Sequence, residues 1–480
     1  MSNNLQFKSL RINKVCFSKL SCKKTQATLP FQNSADFPMV HIKIKKGLDI
    51  PVDGQPLGSA RPHPASPVVL FDFSPFKTVH PHLLVKEGDP VLIGQPLIQD
   101  KRFPGRIWAS PGAGIVEEIL RGEKRALVGI KIRSGEKLEF FALPPAPQTK
   151  EGSLDYLAKT GLLAYCWTRP FHVPALPQLV PRSIFVKAVE SAPFAPPAEM
   201  QVEGKREVFQ AGLDFLSLLA PVHLVYRKGT QSGAFLEAKS ALHHTVEGPH
   251  PAGNPSLHIQ RIDPIEKATD IVWTLDAWSV VAIGHAALSN RFYNRRIVSL
   301  AGAGVLPEHR GYYEAHIGAS FETLTKNRLR ESAVRLISGD PLMGEAKDFL
   351  GFSHSICCAI EKSSKREVLH FLRIGEDRYT ASRTYFSFRK FFSFNTLLHG
   401  EERAFIDPNV YDRVMPIQVP TALLVKAVIA EDFERAEALG LLEVAPEDFA
   451  LPTFVCPSKI EMVEIIENGL KRHAADSLSM

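Results

Sequence analysis

Histidine and cysteine are the side chains of this sequence that could bind a metal ion or act as nucleophiles, and few of them lie close together. Two histidine pairs stand out, His80 with His82 and His243 with His244. Neither pair has a third ligand at a spacing typical of a zinc site, and no H-E-x-x-H or paired C-x-x-C motif is present. We therefore expect both pairs to lie on the surface or in turns, and we expect no metal site.

Glycine-rich motifs that could hold a nucleotide phosphate are also missing. The sequence contains no G-x-x-x-x-G-K-[ST] motif, so a P-loop is excluded. Gly302 and Gly304 begin a pattern like the dinucleotide fingerprint, but Pro307 stands where its third glycine is needed. The G-x-S-x-G motif of esterases is absent as well. Motifs alone therefore predict a multidomain α+β protein without a recognisable catalytic site.

The basic charge of the chain is concentrated at its amino end. Lys and Arg number 57 against 51 Asp and Glu, a formal net charge of +6. Residues 1–38 contain six of the basic residues and Asp36 as their single acidic residue, which leaves a net charge of +1 for residues 39–480. A nearly neutral body argues against binding to nucleic acid. We interpret residues 1–38 as a leader that is disordered or lies upstream of a natural start at Met39.

No segment of the sequence is long and apolar enough to cross a bilayer. The longest stretch without a charged residue, 277–290, has 14 residues, whereas a spanning helix needs about 18 or more. The leader lacks the apolar core of a secretory signal. Six cysteines among 480 residues are too few for a disulfide scaffold and suit a reduced compartment. We expect a cytosolic location without a transmembrane segment.

Short strands separated by glycine turns are predicted for residues 40–145. The turn signals at 88–97 and 109–116 resemble the barrel-sandwich fold of lipoyl and biotinyl carriers. In such carriers the modified lysine lies at a hairpin tip, and Lys101 lies near that position in a predicted hairpin from Asp100 to Arg106. Because this hairpin is longer than a carrier tip, we expect an ordinary surface lysine, with a lipoyl or biotin carrier as an alternative.

Strands alternate with helices in the middle of the chain, and helices dominate the last hundred residues. This order favours a βαβ layer followed by a helical domain. An apolar region at 271–288 lies between the two. The predicted strands are 184–189, 222–226, 296–300, 333–338 and 371–374, and the predicted helices are 154–160, 208–219, 421–441 and 459–475.

Five segments together are more specific than any single motif; they are 42–54, 109–114, 248–253, 413–420 and 453–459. In order and spacing they resemble the family of the A subunit of the Na⁺-translocating NADH:quinone reductase, over residues 39–475. The resemblance implies an α+β multidomain fold, related to the C subunit of the Rnf complex and to the NADH- and FMN-binding subunit of complex I. The implied domains are a lipoyl-like barrel-sandwich hybrid at 39–145, a Rossmann-like α/β domain at 146–258, a β-grasp SLBB-type domain at 259–375 and a helical domain at 376–480.

The iron–sulfur ligands of the Rnf relative are missing at the matching positions. That relative has two C-x-x-C-x-x-C-x-x-x-C-P runs, whose thiolates hold [4Fe–4S] clusters. Cys456 with Pro457 matches the end of one run, and Met415 with Pro416 matches the end of the other. The preceding ligand positions are Pro446, Phe449 and Pro452 in one run and Phe405, Pro408 and Tyr411 in the other. The resemblance therefore implies that both motifs are degenerate and both clusters are lost.

The flavin site of the relatives is altered in the same way. Their glycine-rich loop after the first helix corresponds to residues 161–171, where Trp167, Pro170 and Phe171 replace glycines. Backbone N–H groups cannot converge on a phosphate beside such side chains. We predict that this chain binds neither FMN nor NADH and holds no cofactor. FAD, FMN, riboflavin, iron centres and ubiquinone would belong to other subunits of the complex, although contact of this chain with ubiquinone stays open.

The resemblance implies a peripheral subunit of a translocase that oxidises NADH, reduces ubiquinone to ubiquinol and exports Na⁺. The chain would lie on the cytoplasmic face of the bacterial inner membrane among the B to F subunits. It would dock chiefly on the B subunit, where it would help to form or gate the quinone site, with no catalytic residue and no activity of its own. An Rnf-type electron-carrying subunit is the alternative, and the lost cysteines argue against it.

Two loops are the predicted contacts with quinone or with a partner subunit. The alternative is that their Gly and Pro residues only satisfy the geometry of turns. The predicted site residues are Lys45, Lys46, Gly47 and Asp49 in the first loop and Gly248, Pro249, His250, Pro251 and Gly253 in the second.

Overall fold

The computed structural model describes residues 38–363, 375, 378–381, 387, 389–397, 403–405 and 407–477. The strand predicted at 371–374 and nearly all of the leader lie outside these residues. In chain order the strands are β1 His41–Lys43, β2 Ala60–Pro62, β3 Val68–Asp72, β4 Pro81–Leu83, β5 Pro90–Val91, β6 Pro96–Asp100, β7 Ile107–Ala109, β8 Gly114–Arg121, β9 Leu127–Ser134, β10 Trp167–Arg169, β11 Val173–Pro174, β12 Ser183–Ala188, β13 Val222–Arg227, β14 Leu242–Glu247, β15 Val272–Asp276, β16 Arg295–Ala301, β17 Gly311–His316, β18 Val334–Ser338, β19 Glu345–Ala346 and β20 Ile356–Glu361.

Helices connect these strands in the middle of the chain and dominate its last part. In chain order they are α1 Lys150–Lys159, α2 Ala198–Val202, α3 Arg206–Ser217, α4 Gly233–Leu236, α5 Pro255–Ile262, α6 Ala277–Ser289, α7 Phe321–Thr325, α8 Asn409–Asp412, α9 Thr421–Ile429, α10 Phe433–Ala438, α11 Ala450–Val455 and α12 Met462–Ser477. Within the described residues, none of these helices is both long enough and apolar enough to span a membrane.

A seven-stranded sheet in the order β1-β14-β13-β12-β15-β10-β11 forms the α/β part of the chain. The five strands from β1 to β15 are parallel, and β10 pairs antiparallel with both of its neighbours. Helices α3 and α6 pack together so closely that a Cβ on Gly212 would lie 2.1 Å from the Val280 carbonyl oxygen, and one on Gly284 would lie 1.9 Å from that of Val208. Only glycine permits this approach of two backbones.

The domain boundary expected at residue 258 does not coincide with the edge of this sheet. β15 pairs with β12 in the middle of the sheet, and α6 follows β15 directly. Asp276 begins α6, because its side chain accepts a hydrogen bond from the Ser279 N–H at 2.8 Å. The α/β layer therefore continues into the region that was expected to open the next domain.

A six-stranded mixed sheet in the order β19-β18-β20-β16-β17-β2 follows in the chain. Its apolar side includes the fully buried residues Val298 and Leu300, which share a hydrophobic cluster with Phe321 of α7. The edge strand β2 comes from the amino-terminal region and pairs in parallel with β17. A segment expected to belong to the barrel-sandwich domain therefore completes another sheet.

The barrel-sandwich region consists of a four-stranded sheet, β3-β9-β8-β5, and a three-stranded sheet, β4-β6-β7. Trp108 is fully buried between them, with the rings of Phe73 and Phe76 at centroid distances of 5.4 and 5.3 Å. The hairpin predicted from Asp100 to Arg106 is present, since the Asp100 N–H donates to the Arg106 carbonyl at 3.0 Å.

The carboxy-terminal region is helical, but the helix predicted at 421–441 is two helices. Glu431 has φ of +55°, a left-handed conformation that ends α9. The Asp432 side chain then accepts a hydrogen bond from the Arg435 N–H and begins α10. Asp432 is therefore a helix cap. The helix predicted at 459–475 is confirmed as α12, Met462–Ser477.

Candidate functional site

The two predicted loops lie against each other, and we call residues 45–50 and 248–253 the loop pair. The Leu48 N–H donates to the His250 carbonyl oxygen at 2.8 Å, and the His250 N–H donates to Oδ1 of Asp49 at 2.8 Å. Gly47 has φ of +134°, and a Cβ there would lie 2.2 Å from the His250 carbonyl oxygen. A Cβ on Gly248 would lie 2.5 Å from the Ile44 side chain. Both glycines are required by close contact.

The sheet explains why the loops meet. β1 and β14 are parallel neighbours, with His41 opposite Thr245 and Lys43 opposite Glu247. Parallel strands end at the same edge of a sheet, so the loops that follow them start side by side. Three basic groups, on His41, Lys43 and Lys228, lie within 3.5 Å of the Glu247 carboxylate just before the second loop.

The imidazole of His250 contacts Ser191, a residue that sequence reasoning missed. The Ser191 hydroxyl lies 3.0 Å from Nδ1 of His250 and accepts a hydrogen bond from the Gly253 N–H at 2.8 Å. Burial lowers the pKa of His250 to about 4, so the ring is neutral at physiological pH. No sequence signal marks Ser191, because it follows β12 at a distance of 59 residues from His250.

The histidine, serine and aspartate of this cluster do not form a charge-relay triad. Asp49 accepts from the backbone N–H of His250 and not from its ring. In a triad the carboxylate must bind the imidazole in order to stabilise its cation. The cluster fixes the shape of the loop pair and does not activate Ser191.

Exposure divides the predicted site residues into two groups. The side chains of Lys45, Lys46 and Asp49 are exposed, whereas His250 and Pro251 are buried, as is Gly253. Gly47, Gly248 and Pro249 are of intermediate exposure. The first loop therefore has exposed charged groups, and the second supports it from the protein interior.

Polar contacts connect this region to the carboxy-terminal helices. The Gly47 N–H donates to the Arg413 carbonyl oxygen at 3.1 Å. Asn254 donates from Nδ2 to Oδ1 of Asp448 at 2.8 Å. Burial and the neighbouring Glu447 carboxylate together raise the pKa of Asp448 to about 6. The second loop is thus held at its far end by a buried carboxyl group.

A buried ion pair lies next to these contacts. Arg169, 3% exposed, donates to the Glu447 carboxylate at 2.5 Å and to the Ser256 hydroxyl at 3.1 Å. Burial alone would raise the pKa of Glu447, but the Arg169 guanidinium outweighs it and lowers that pKa to about 2. The ion pair therefore joins strand β10 to the helical domain with both groups charged.

The predicted positions of the two histidine pairs are right for one pair and wrong for the other. His80 and His82 are exposed. His243 and His244 lie within strand β14, and His244 is 2% exposed, with Nε2 at 3.0 Å from Nδ1 of His223. Both therefore lie in a strand and not in a turn, and His244 is not on the surface, whereas His243 is partly exposed. Lys101 is an exposed residue of its hairpin.

Three family models match successive parts of the chain. The NqrA N-terminal barrel-sandwich hybrid domain matches residues 42–135, the NqrA second alpha/beta domain 148–291 and the NQRA C-terminal domain 297–348. A protein of Chlamydia caviae, named as the A subunit of Na(+)-translocating NADH-quinone reductase, is 40% identical over 462 residues, covering 91% of this chain and 97% of that protein. The chain belongs to this NqrA family.

More distant members of the NqrA family also align over most of the chain. The NqrA protein of Chlamydia trachomatis serovar L2 is 36% identical over 91% of this chain and 99% of its own length. That of Yersinia pestis bv. Antiqua is 34% identical over 89% and 98%. The predicted fold class is confirmed, with its barrel-sandwich and SLBB-type domains. The match of the second model to residue 291 agrees with the extended α/β sheet.

A solved NAD⁺-reducing [NiFe]-hydrogenase in its H₂-reduced state aligns with 62% of this chain and 55% of its own chain, at 12% identity and a TM-score of 0.32. A TM-score this low does not establish a common fold. The expected fold relation to Rnf and complex I subunits therefore stays a prediction.

The segment of this NqrA-family chain that corresponds to a flavin loop, 161–171, is filled by aromatic side chains. The ring of Trp167 stacks on His172 at a centroid distance of 4.7 Å and on Phe76 at 6.3 Å. Phe171 is buried. Bulky aromatic side chains thus stand in the segment where the resemblance expects glycines.

The degenerate iron–sulfur positions also contain bulky side chains. Cys456 is fully buried, and its Sγ lies 3.1 Å from the Tyr411 hydroxyl. The ring of Phe405 lies 6.1 Å from that of Tyr411. Among the described residues, no three histidine, cysteine or acidic side chains are arranged to hold a metal ion.

Proposed function

We propose that this chain works as the A subunit of a Na⁺-translocating NADH:quinone reductase. The observation that carries this proposal is the 40% identity to a protein of that name over 91% of this chain and 97% of the relative. The chain would lie as a peripheral subunit on the cytoplasmic face of the inner membrane. It would dock on the B subunit, where it would help to form or gate the site at which ubiquinone is reduced.

The charge distribution supports attachment through protein contacts. Residues 39–480 carry a net charge of only +1, so attraction to anionic lipid is weak. Lys45, Lys46 and Asp49 form an exposed, charged strip beside the carboxyl ends of β1 and β14. Such a strip can pair with charges on a partner while the buried second loop keeps its shape.

The titratable groups of the chain support a role in positioning and not in electron transfer. Burial raises the pKa of the Cys166 thiol to about 12, and it also raises those of Cys357 and Cys358. Thiols in this state are poor nucleophiles and poor metal ligands. With Cys456 in contact with Tyr411, no described cysteine is poised for redox chemistry.

The test changes the exposed lysines of the first loop and the buried histidine of the second loop in separate variants of the assembled complex. We expect the double variant K45A/K46A to lower either co-purification with the other subunits or quinone reductase activity, because it removes the exposed charges. His250→Ala should lower the same readouts, because the second loop loses its contact with Ser191. A matched control is K124A/R125A, since Lys124 and Arg125 are an exposed basic pair in a turn of the barrel-sandwich region.

The outcomes separate the site from the function. Full assembly and full quinone reductase activity in both loop variants would remove the loop pair from the site. Failure of the unaltered chain to co-purify with the other subunits would overturn the proposed function itself. Retained NADH oxidation together with lost quinone reduction would place the loop pair at the quinone end of the electron path.

A further inference from the structure

A cavity of about 320 Å³ opens at the edge of the seven-stranded sheet that faces away from the loop pair. Ser183 and Leu242, the first residues of β12 and β14, line it, and so do Val40, just before β1, and Pro221, just before β13. The loop pair follows the opposite ends of β1 and β14. A strand of six residues spans roughly 17–20 Å, so the cavity and the loop pair are separate places.

Hydrogen bonds fix where the proton lies on each of two histidines beside the cavity. The Val40 N–H donates to Nδ1 of His244 at 3.2 Å, so this nitrogen carries no proton. Burial lowers the pKa values of His223 and His244 to about 4, so both rings are neutral at physiological pH. A neutral His244 therefore has its proton on Nε2 and donates to Nδ1 of His223, at 3.0 Å. His223 must then carry its own proton on Nε2.

The Nε2–H of His223 is a donor without a partner. The imidazole is 7% exposed and is clamped by the ring of Phe185, stacked at 4.5 Å. No hydrogen bond reaches Nε2 from the described residues, yet this atom is not among the fully enclosed polar atoms, and His223 lines the cavity. The Nε2–H group of His223 therefore faces the cavity. The hydrogen bond from Nε2 of His244 to Nδ1 of His223 keeps the proton of His223 on Nε2.

The charged groups of the cavity wall are already paired with each other. Arg182 donates from Nη1 to Oδ1 of Asp263 at 2.6 Å, and the Ser183 hydroxyl donates to Oδ2 at 2.7 Å. The other lining side chains are apolar; they are Pro38, Val40, Pro221, Leu242 and Ile262. Because these groups already balance each other's charge, an uncharged molecule can fill the cavity without leaving either of them unpaired.

We propose that this cavity is a binding site for a small, uncharged molecule the size of one substituted ring, whose carbonyl or other acceptor binds the Nε2–H of His223. The volume lies at the lower end of the range for ligand pockets, roughly 300–1,000 Å³. An apolar wall with one oriented donor is the usual composition of such a site. This site is independent of the proposed role of the loop pair.

The test is a titration of the full-length chain, labelled with ¹⁵N-histidine, with three ring compounds of similar size. Acetophenone has an acceptor, ethylbenzene lacks one and benzoate is an anion. Acetophenone should shift the side-chain nitrogen signals of His223 and bind about fivefold more tightly than ethylbenzene, the effect of one neutral hydrogen bond. Benzoate should bind at least tenfold more weakly than acetophenone. Equal affinities for all three, no binding, or binding that leaves the His223 signals unchanged would overturn the proposal.

Two variants make the result specific to the cavity. Leu242→Trp fills the cavity from its wall and keeps both histidines, so acetophenone binding should fall at least tenfold. Leu288→Trp is the matched control, because Leu288 is exposed near the end of α6, and binding should stay unchanged. His223→Phe should reduce acetophenone to the affinity of ethylbenzene. Unchanged acetophenone binding in Leu242→Trp contradicts the proposal even if His223→Phe fails to fold.

Discussion

Replacing Gly47 with alanine should loosen the loop pair without touching any charged group. Gly47 has φ of +134°, a region in which an L-residue is strained by about 1–3 kcal/mol. The new Cβ would lie 2.2 Å from the His250 carbonyl oxygen, which must move away. That oxygen accepts the Leu48 N–H, so one hydrogen bond of about 1 kcal/mol is lost as well. The local cost is therefore about 2–4 kcal/mol.

Amide hydrogen exchange measures this cost where it arises. A loss of 2–4 kcal/mol should speed exchange at Leu48 and His250 by roughly 30- to 700-fold, provided that these amides exchange by local opening. Gly88→Ala is the matched control, since Gly88 has φ of +90° but a Cβ there would meet nothing within 4 Å. It should cost only the backbone strain, and it should leave the exchange of the loop pair unchanged.

The reasoning fails if Gly47→Ala leaves the Leu48 and His250 amides as protected as in the unaltered chain. It also fails if Gly88→Ala loosens the loop pair equally, because the effect would then not come from the contact between loops. In the assembled complex, the same variant should lower quinone reductase activity in proportion to the loosening.

Three further predictions concern the interior of the chain. Glu447→Gln should destabilise the contact with the helical domain by about 3–5 kcal/mol, because it leaves the buried Arg169 guanidinium without its charged partner. Limited proteolysis should detect this loss, whereas the exposed control Glu434→Gln should have no effect. The purified chain should show no flavin absorbance and no iron or acid-labile sulfide, and stoichiometric flavin or sulfide would contradict this. The free energy of unfolding should fall as the pH drops from about 6.5 toward 4, because seven buried or partly buried histidines with pKa values lowered to about 4 stay neutral in the folded chain while the unfolded chain takes up protons. Each costs on the order of 3 kcal/mol at pH 4, so circular dichroism should show unfolding above that pH. These histidines are His172, His223, His244, His250, His258, His316 and His354.

Local sequence patterns were sufficient for the elements that local physics determines. The apolar runs at 184–189, 222–226 and 296–300 are strands β12, β13 and β16, because each is buried on both faces and bounded by turns. The break between α9 and α10 was missed although Asp432 is a good cap residue. The apolar periodicity continues through the break and masks it.

Pairings between distant segments could not be predicted in this way. β1 and β2 are short edge strands from the amino-terminal region, yet each completes a sheet by pairing with a strand more than 200 positions away. The boundary predicted at 258 cuts through the seven-stranded sheet for a related reason. The apolar region at 271–288 contains both β15 and α6, and its strand inserts in the middle of a sheet whose other strands precede it.

The candidate site shows the same difference between what local sequence patterns predict and what pairings of distant segments determine. The two loops were chosen from the family resemblance, but their contact depends on β1 lying beside β14, which no periodicity reveals. Ser191 was missed because it follows β12, a strand that is distant in the sequence from both loops. The structure therefore adds Ser191 and the close contacts of the glycines, which hold in place the residues that the sequence could suggest.

The carboxy-terminal region brings together three of the positions at which the resemblance expects iron–sulfur ligands. In two-cluster ferredoxins the fourth cysteine of one run binds the cluster held by the first three of the other run. Cys456 is the fourth position of its run, and Tyr411 and Phe405 are the third and first positions of the other. Cys456 lies 3.1 Å from the Tyr411 hydroxyl, and the Phe405 and Tyr411 rings are 6.1 Å apart. The positions that would share one cluster are thus still neighbours. A phenol and an aromatic ring stand at two of these positions, so the predicted absence of a cluster rests on packed side chains as well as on missing thiols.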